Sequence, residues 1–210
     1  MADRFFDDHQ RATMEAAMAR IIPTDDTPGA REAGTIDFLD SYLAGLGRIY
    51  AKPDGSGFEK LSGKRAEAWQ RRIDRIREVY TAGIADLDQR ARATFGSDFA
   101  ELAPAQQDGI LEQLDPDPAV LAGSVGGEAP PLQQTKAEID LDFFPLLCLH
   151  TRQGFYADPI YGGNRGRVGW ETIGFPGPAS LAEVHTGRYS TLAWFAEQQP
   201  DHEGAPERGA

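Results

Sequence analysis

Residues 63–94, GKRAEAWQRRIDRIREVYTAGIADLDQRARAT, decide the fold class. Trp69, Ile73, Ile76, Tyr80, Ile84, Leu87 and Ala91, with Phe95 one residue beyond, recur at intervals of three and four. That spacing collects side chains on one face of an α-helix. The positions between them are mostly Arg, Glu, Asp and Gln of mixed sign, as on an ordinary solvated face. The pattern predicts a long amphipathic helix from Gly63 to Thr94, broken near Thr81-Ala82-Gly83 and stopped by Gly96.

The neighbouring stretches have the same character. Residues 7–22 read as a helix capped by Asp7 or Asp8, with Met14, Met18, Ile21 and Ile22 on one face and Pro23 ending it. Asp25 and Asp26 lie in the turn that follows. They read as acids bonding their own backbone rather than as metal ligands. A second helix spans Thr35 to Leu46 on the stripe Ile36, Leu39, Leu43 and Leu46, and residues 51–63 form a Gly-rich loop. Pro104 opens a short helix carrying Ile110, Leu111 and Leu114, which Asp115-Pro116-Asp117-Pro118 stops. Residues 116–131 form a long internal loop. Thr135 to Glu138 fits a capping box, and Ile139, Phe143, Leu146, Leu147 and His150 follow on one side, with a kink expected at Pro145 and a stop at Gly154. Leu181 to Phe195 adds a further short helix. The expected fold is mainly α, an irregular helical domain over residues 1–197 with a polar tail over 198–210.

One segment departs from this pattern. Gly154–Pro178, GFYADPIYGGNRGRVGWETIGFPGP, is too rich in glycine, proline and aromatics for one helix or a regular strand. Its aromatics, Phe155, Tyr156, Tyr161, Trp170 and Phe175, argue for order, because disordered segments are depleted in them. Two readings stand: a turn-rich cap over the helical core, or a surface that docks on a partner. On the second, Tyr156, Tyr161 and Trp170 are the anchors. Asp158, Asn164, Phe175 and Pro176 join them, and Gly162, Gly163, Gly174 and Gly177 shape the backbone.

Charge and motif content exclude several classes. With 33 acidic against 21 basic residues the net charge is −12, which argues against nucleic acid and anionic membranes as partners. No stretch reaches the ~20 apolar residues of a membrane helix. Cys148 is the one cysteine, so no internal disulfide forms. The four histidines (His9, His150, His185 and His202) contain no i,i+4 pair, and His150 reads as a satisfied core residue. Dinucleotide, P-loop and haem-attachment motifs are missing from the sequence. Asp158 and Glu171 are the only acids inside the aromatic stretch, and a small self-contained hydrolase built on either is the enzymatic alternative.

Two segments carry a family resemblance. The first is Ile21-Ile22-Pro23-Thr24-Asp25-Asp26-Thr27-Pro28-Gly29-Ala30, continuing through Ala33-Gly34 to Phe38-Leu39-Asp40. The second is Gly154-Phe155-Tyr156-Ala157-Asp158-Pro159, then Tyr161-Gly162-Gly163-Asn164, Gly169-Trp170 and Gly174-Phe175-Pro176-Gly177. In order and spacing the chain resembles the gluconate 2-dehydrogenase subunit 3 family over residues 5–178. These are the small (gamma) subunits of bacterial flavin-dependent sugar dehydrogenases. The resemblance implies a helical accessory subunit without catalytic residues or a cofactor of its own. Its partner would be a large FAD-containing subunit of the glucose–methanol–choline (GMC) type, with a c-type cytochrome carrying haem c as a further subunit. The small subunit would stabilise or mature the large one; a transient chaperone for that one client is the alternative. Family members often begin with a twin-arginine signal, which this sequence does not show. The chain is therefore expected in the cytoplasm, with periplasmic co-export on a partner as the alternative.

Overall fold

A computed structural model describes residues 4–114, 138–178 and 181–190. Seven α-helices form among them: α1 (Asp8–Ile21), α2 (Thr35–Ala44), α3 (Gly63–Phe95), α4 (Pro104–Glu112), α5 (Phe143–Tyr156), α6 (Val168–Thr172) and α7 (Leu181–His185). The described residues form no strand; Ala51 and Phe58 make an isolated antiparallel bridge. The protein is mainly α, as its periodicities require. The expected 116–131 loop, the 198–210 tail and Thr135 of the capping box lie outside the described residues, and the helix expected over Leu181–Phe195 stops at His185, where a turn follows.

Local chemistry explains most helix ends. Asp7 caps α1 by accepting the Gln10 N–H at 2.8 Å, while the Gln10 side chain accepts the Asp7 N–H at 3.2 Å. Pro104 begins α4, and Gly96 ends α3 in the left-handed region (φ 79°), its N–H bonded to Arg92. Asp25 accepts the Thr27 N–H and hydroxyl, as expected of a turn acid.

Three expectations from the sequence are corrected. The long helix α3 is unbroken through Thr81-Ala82-Gly83. Gly83 is there to admit the Phe143 ring: a Cβ at Gly83 would lie 2.0 Å from Phe143 Cδ2. Pro145 makes no kink, because it is the third residue of α5, in the first turn, where backbone N–H groups have no helical acceptor. Gly154 does not end α5, which runs on to Tyr156. It is a contact residue, its missing Cβ letting the helix approach Thr35 and Phe38 of α2. The turn-rich segment therefore begins at Ala157.

The core lies where α1, α2, α3, α4 and α5 meet, around Met14, Met18, Leu39, Leu43, Ile76, Tyr80, Leu87, Phe99, Ile110, Leu146 and Leu147. The stripe of α3 lifts off this core at both ends, where Phe95 is exposed and Trp69 half-buried. Buried acids lock the elements together. Asp40 accepts the Phe5 and Phe6 N–H groups at 2.8 and 3.0 Å and pairs with Arg11. Asp88 accepts the Phe99 N–H at 3.1 Å and bonds His9 at 2.7 Å. Each of these carboxylates is compensated by donors, as burial requires.

Gly83→Ala sets two effects against each other. Alanine gains about 1 kcal/mol of helix propensity, whereas overpacking costs about 1–3 kcal/mol. We expect the steric cost to dominate and the melting temperature to fall by a few degrees. In a Phe143→Ala background the same change should be stabilising. A rise in melting temperature with Phe143 intact would contradict the packing role of Gly83.

Candidate docking groove

The chain after α5 is held by backbone contacts that only small residues permit. Asp158 accepts the Ile160 N–H at 3.0 Å and Pro159 begins a 3-10 turn over 159–161. Gly163 then lies against α5 so closely that a Cβ would come 2.1 Å from the Gly154 carbonyl oxygen. Gly169 repeats the contact one step on, with a Cβ position 2.0 Å from the Phe155 carbonyl oxygen. Between them Asn164 sits in the left-handed region (φ 48°) and is fully buried. Its amide donates to the Ala157 carbonyl at 2.9 Å, and its Oδ1 accepts the Gly169 N–H at 2.9 Å. Arg165 ties the segment to the N-terminal half: its N–H donates to Ala33 and its guanidinium pairs with Asp37, which also pairs with Arg11.

Trp170 belongs to the chain's own interior. It is 7% exposed, and its indole N–H donates to the Tyr156 carbonyl at 2.8 Å. Phe175 meets it edge-on at 5.3 Å, and Gly177 (φ 61°) lies against the indole. Trp170, Asn164 and Gly163 are thus not outward anchors; they fix the surface from beneath. Pro176 and Gly174 are exposed, and Phe175, Gly177 and Gly162 are half-buried.

Of the candidate residues, Tyr156, Asp158 and Tyr161 come together in one open groove of about 410 Å³. Tyr156 is 41% exposed. The facing wall comes from residues the sequence reading did not assign to a docking surface. Phe38 and Tyr42 come from α2, Arg48 and Ile49 from the turn after it, and Trp69 from the first part of α3. Phe38 and Tyr42 are four apart, off the buried Ile36–Leu39–Leu43 stripe, and they stack at 6.3 Å. That off-stripe aromatic pair was the available signal. Tyr161 is anchored by the Ala51 N–H at 3.2 Å and by Phe58, edge-on at 5.6 Å. Asp158 caps its own turn, and Glu171 is exposed and outside the groove lining.

Behind Tyr42 lies a buried polar network. His150, fully buried, bonds Tyr80 Oη through Nδ1 and Glu138 through Nε2, each at 2.8 Å. Tyr42 donates to the same Glu138 oxygen at 3.0 Å, and Arg72 pairs with the other. Burial would raise the Glu138 carboxyl, but the bond and charge of His150 and then Arg72 overcome it and hold the group down to about 2. Burial, reinforced by the Glu138 charge, pushes the Tyr42 phenol up. His150 is the satisfied core residue its position suggested. Through Glu138 the chain locks onto α2, α3 and α5.

Among the described residues no group of three or more His, Cys, Asp or Glu side chains is placed to hold a metal ion, and no helix is long and apolar enough to cross a membrane. The family described as gluconate 2-dehydrogenase subunit 3 matches residues 8–177, and the chain belongs to it. No curated protein and no solved structure matches the chain.

The depressed Glu138 carboxyl gives stability that is complete above its ordinary value of 4.5 and lost as pH falls toward about 2. Glu138→Gln should cost about 3 kcal/mol at neutral pH. That deficit relative to wild type should shrink between pH 5 and pH 2 in denaturant melts. A deficit independent of pH would show that the pair contributes by packing alone.

Proposed function

We propose that this chain is the non-catalytic small subunit of a flavin-dependent sugar or sugar-acid dehydrogenase complex. In this reading it binds a large GMC-type subunit that holds FAD and performs the oxidation, and it stabilises that subunit during maturation. A c-type cytochrome then accepts the electrons. Family membership supports a subunit role. The observation that carries the finer reading is the preorganised segment 157–178, built on close backbone contacts with the end of α5, so that Tyr161 of the segment and Tyr156 of α5 stand together beside an aromatic groove. Little ordering entropy remains to be lost on docking when the surface is already fixed. Its buried acid–imidazole pair, Glu138 and His150, is committed to structural bonds with Arg72, Tyr42 and Tyr80.

The test is capture of the tagged chain from its native source with an absorbance spectrum of the eluate. Flavin bands with a larger chain in equal amount are expected; a colourless chain alone would overturn the reading. Trp170→Ala removes the buried indole that supports Tyr156, at about 3–5 kcal/mol. It should reduce the yield of complex severalfold while leaving turnover per flavin unchanged. Normal assembly with lost turnover would place this subunit at the reacting atoms instead.

A further inference from the structure

Charge is unevenly distributed over this acidic chain. Residues 46–72 hold seven basic side chains (Arg48, Lys52, Lys60, Lys64, Arg65, Arg71 and Arg72) and three acidic ones (Asp54, Glu59 and Glu67). Their net is +4 in a chain of −12, so the remainder carries −16. Most arginines elsewhere are matched internally: Arg20 pairs with Asp108, Arg90 with Asp86 and Arg92 with Asp98. Within 46–72, Arg65 reaches Glu59 at 3.8 Å and Arg72 pairs with Glu138. Arg48, Lys52, Lys60, Lys64 and Arg71 are exposed and meet no carboxylate within 4.0 Å among the described residues.

Three of these unmatched cations are tied to the aromatic groove, Arg48 in its lining and Lys52 and Lys60 on the loop fastened beside it. The loop bearing Lys52 and Lys60 is closed by the Lys52 N–H on Gly57 and the Glu59 N–H on Tyr50, both at 2.8 Å. It is fastened to the groove by Ala51 and Phe58 on Tyr161. Arg65 lies 4.1 Å over Tyr50, whose hydroxyl accepts the Trp69 indole N–H at 3.1 Å, and Arg72 lies 4.8 Å over Trp69. A guanidinium stacked on a ring keeps its in-plane N–H groups available to carboxylates.

Resting on the docking role proposed above, we propose that the groove receives a short acidic–apolar segment of the partner subunit. Its aromatic or aliphatic side chains enter between Tyr156, Tyr161, Phe38 and Trp69. Its carboxylates meet Arg48 and the rim lysines. A volume of about 410 Å³ suits side chains rather than a folded unit. The −16 remainder disfavours phosphate-rich partners, which would be repelled everywhere but at this rim.

Two measurements on the purified complex test this. Carbodiimide joins lysine amines to carboxylates in direct contact. Cross-links from Lys52 and Lys60 should converge on Asp or Glu within one short stretch of the large chain. The double variant Arg48→Glu, Lys60→Glu, at exposed positions, should keep its melting temperature. It should bind the large subunit at least tenfold more weakly at low salt, with a smaller deficit at 0.5 M salt. Cross-links confined to this chain's own carboxylates, or unchanged affinity of the double variant in an intact complex, would overturn the groove assignment while the docking role stands. If no flavoprotein is captured by the wild-type chain, the docking role fails and the groove assignment fails with it.

Discussion

Backbone lies directly on backbone where the chain leaves α5. The Cβ positions of Gly163 and Gly169 fall 2.1 and 2.0 Å from the carbonyl oxygens of Gly154 and Phe155, so no larger side chain fits at either place. Gly154 in turn lies against Thr35 and Phe38. Three layers (α2, α5 and the turn segment) are stacked at distances set by glycine. The candidate groove depends on that stacking. It fixes the carbonyl that the Trp170 indole bonds, the turn that presents Tyr161, and the shared edge where α2 and α5 form the groove.

Buried charge reinforces the same junction. Asp40 gathers the N-terminal segment and Arg11 onto α2, and Asp37 joins Arg11 to Arg165 across the chain. Glu138 draws Tyr42, Arg72 and His150 together behind the groove. Desolvating the buried Asp40 and Glu138 carboxylates is costly, and removing one of their partners would leave an uncompensated buried charge. Each pair joins elements distant in sequence at one geometry.

The helices were legible because their apolar stripes repeat at the α-helical period, from Met14 and Met18 in α1 to Leu146 and Leu147 in α5. Misreadings arose where one residue type serves two purposes. Gly83 and Gly154 looked like helix breakers and prove to be places where another element comes close. Pro145 looked like a kink and falls in a first turn. Trp170 looked like an outward anchor, but its N–H has an internal acceptor, which no local pattern reveals. The groove was half legible. Tyr156, Asp158 and Tyr161 lie in the anomalous segment. Phe38, Tyr42, Arg48 and Trp69 come from separate elements whose meeting only tertiary structure defines.

The central claim is that residues 157–175 form a rigid surface before any partner arrives. Native-state amide hydrogen exchange on the isolated chain tests it most directly. The amides of Arg165, Gly169 and Phe175, bonded to Ala33, Asn164 and Trp170, should be protected nearly as strongly as core amides of α2 and α5. Exchange at the rate of an unstructured peptide while α2 and α5 stay protected would contradict it, and would mean that the segment takes its shape only on the partner.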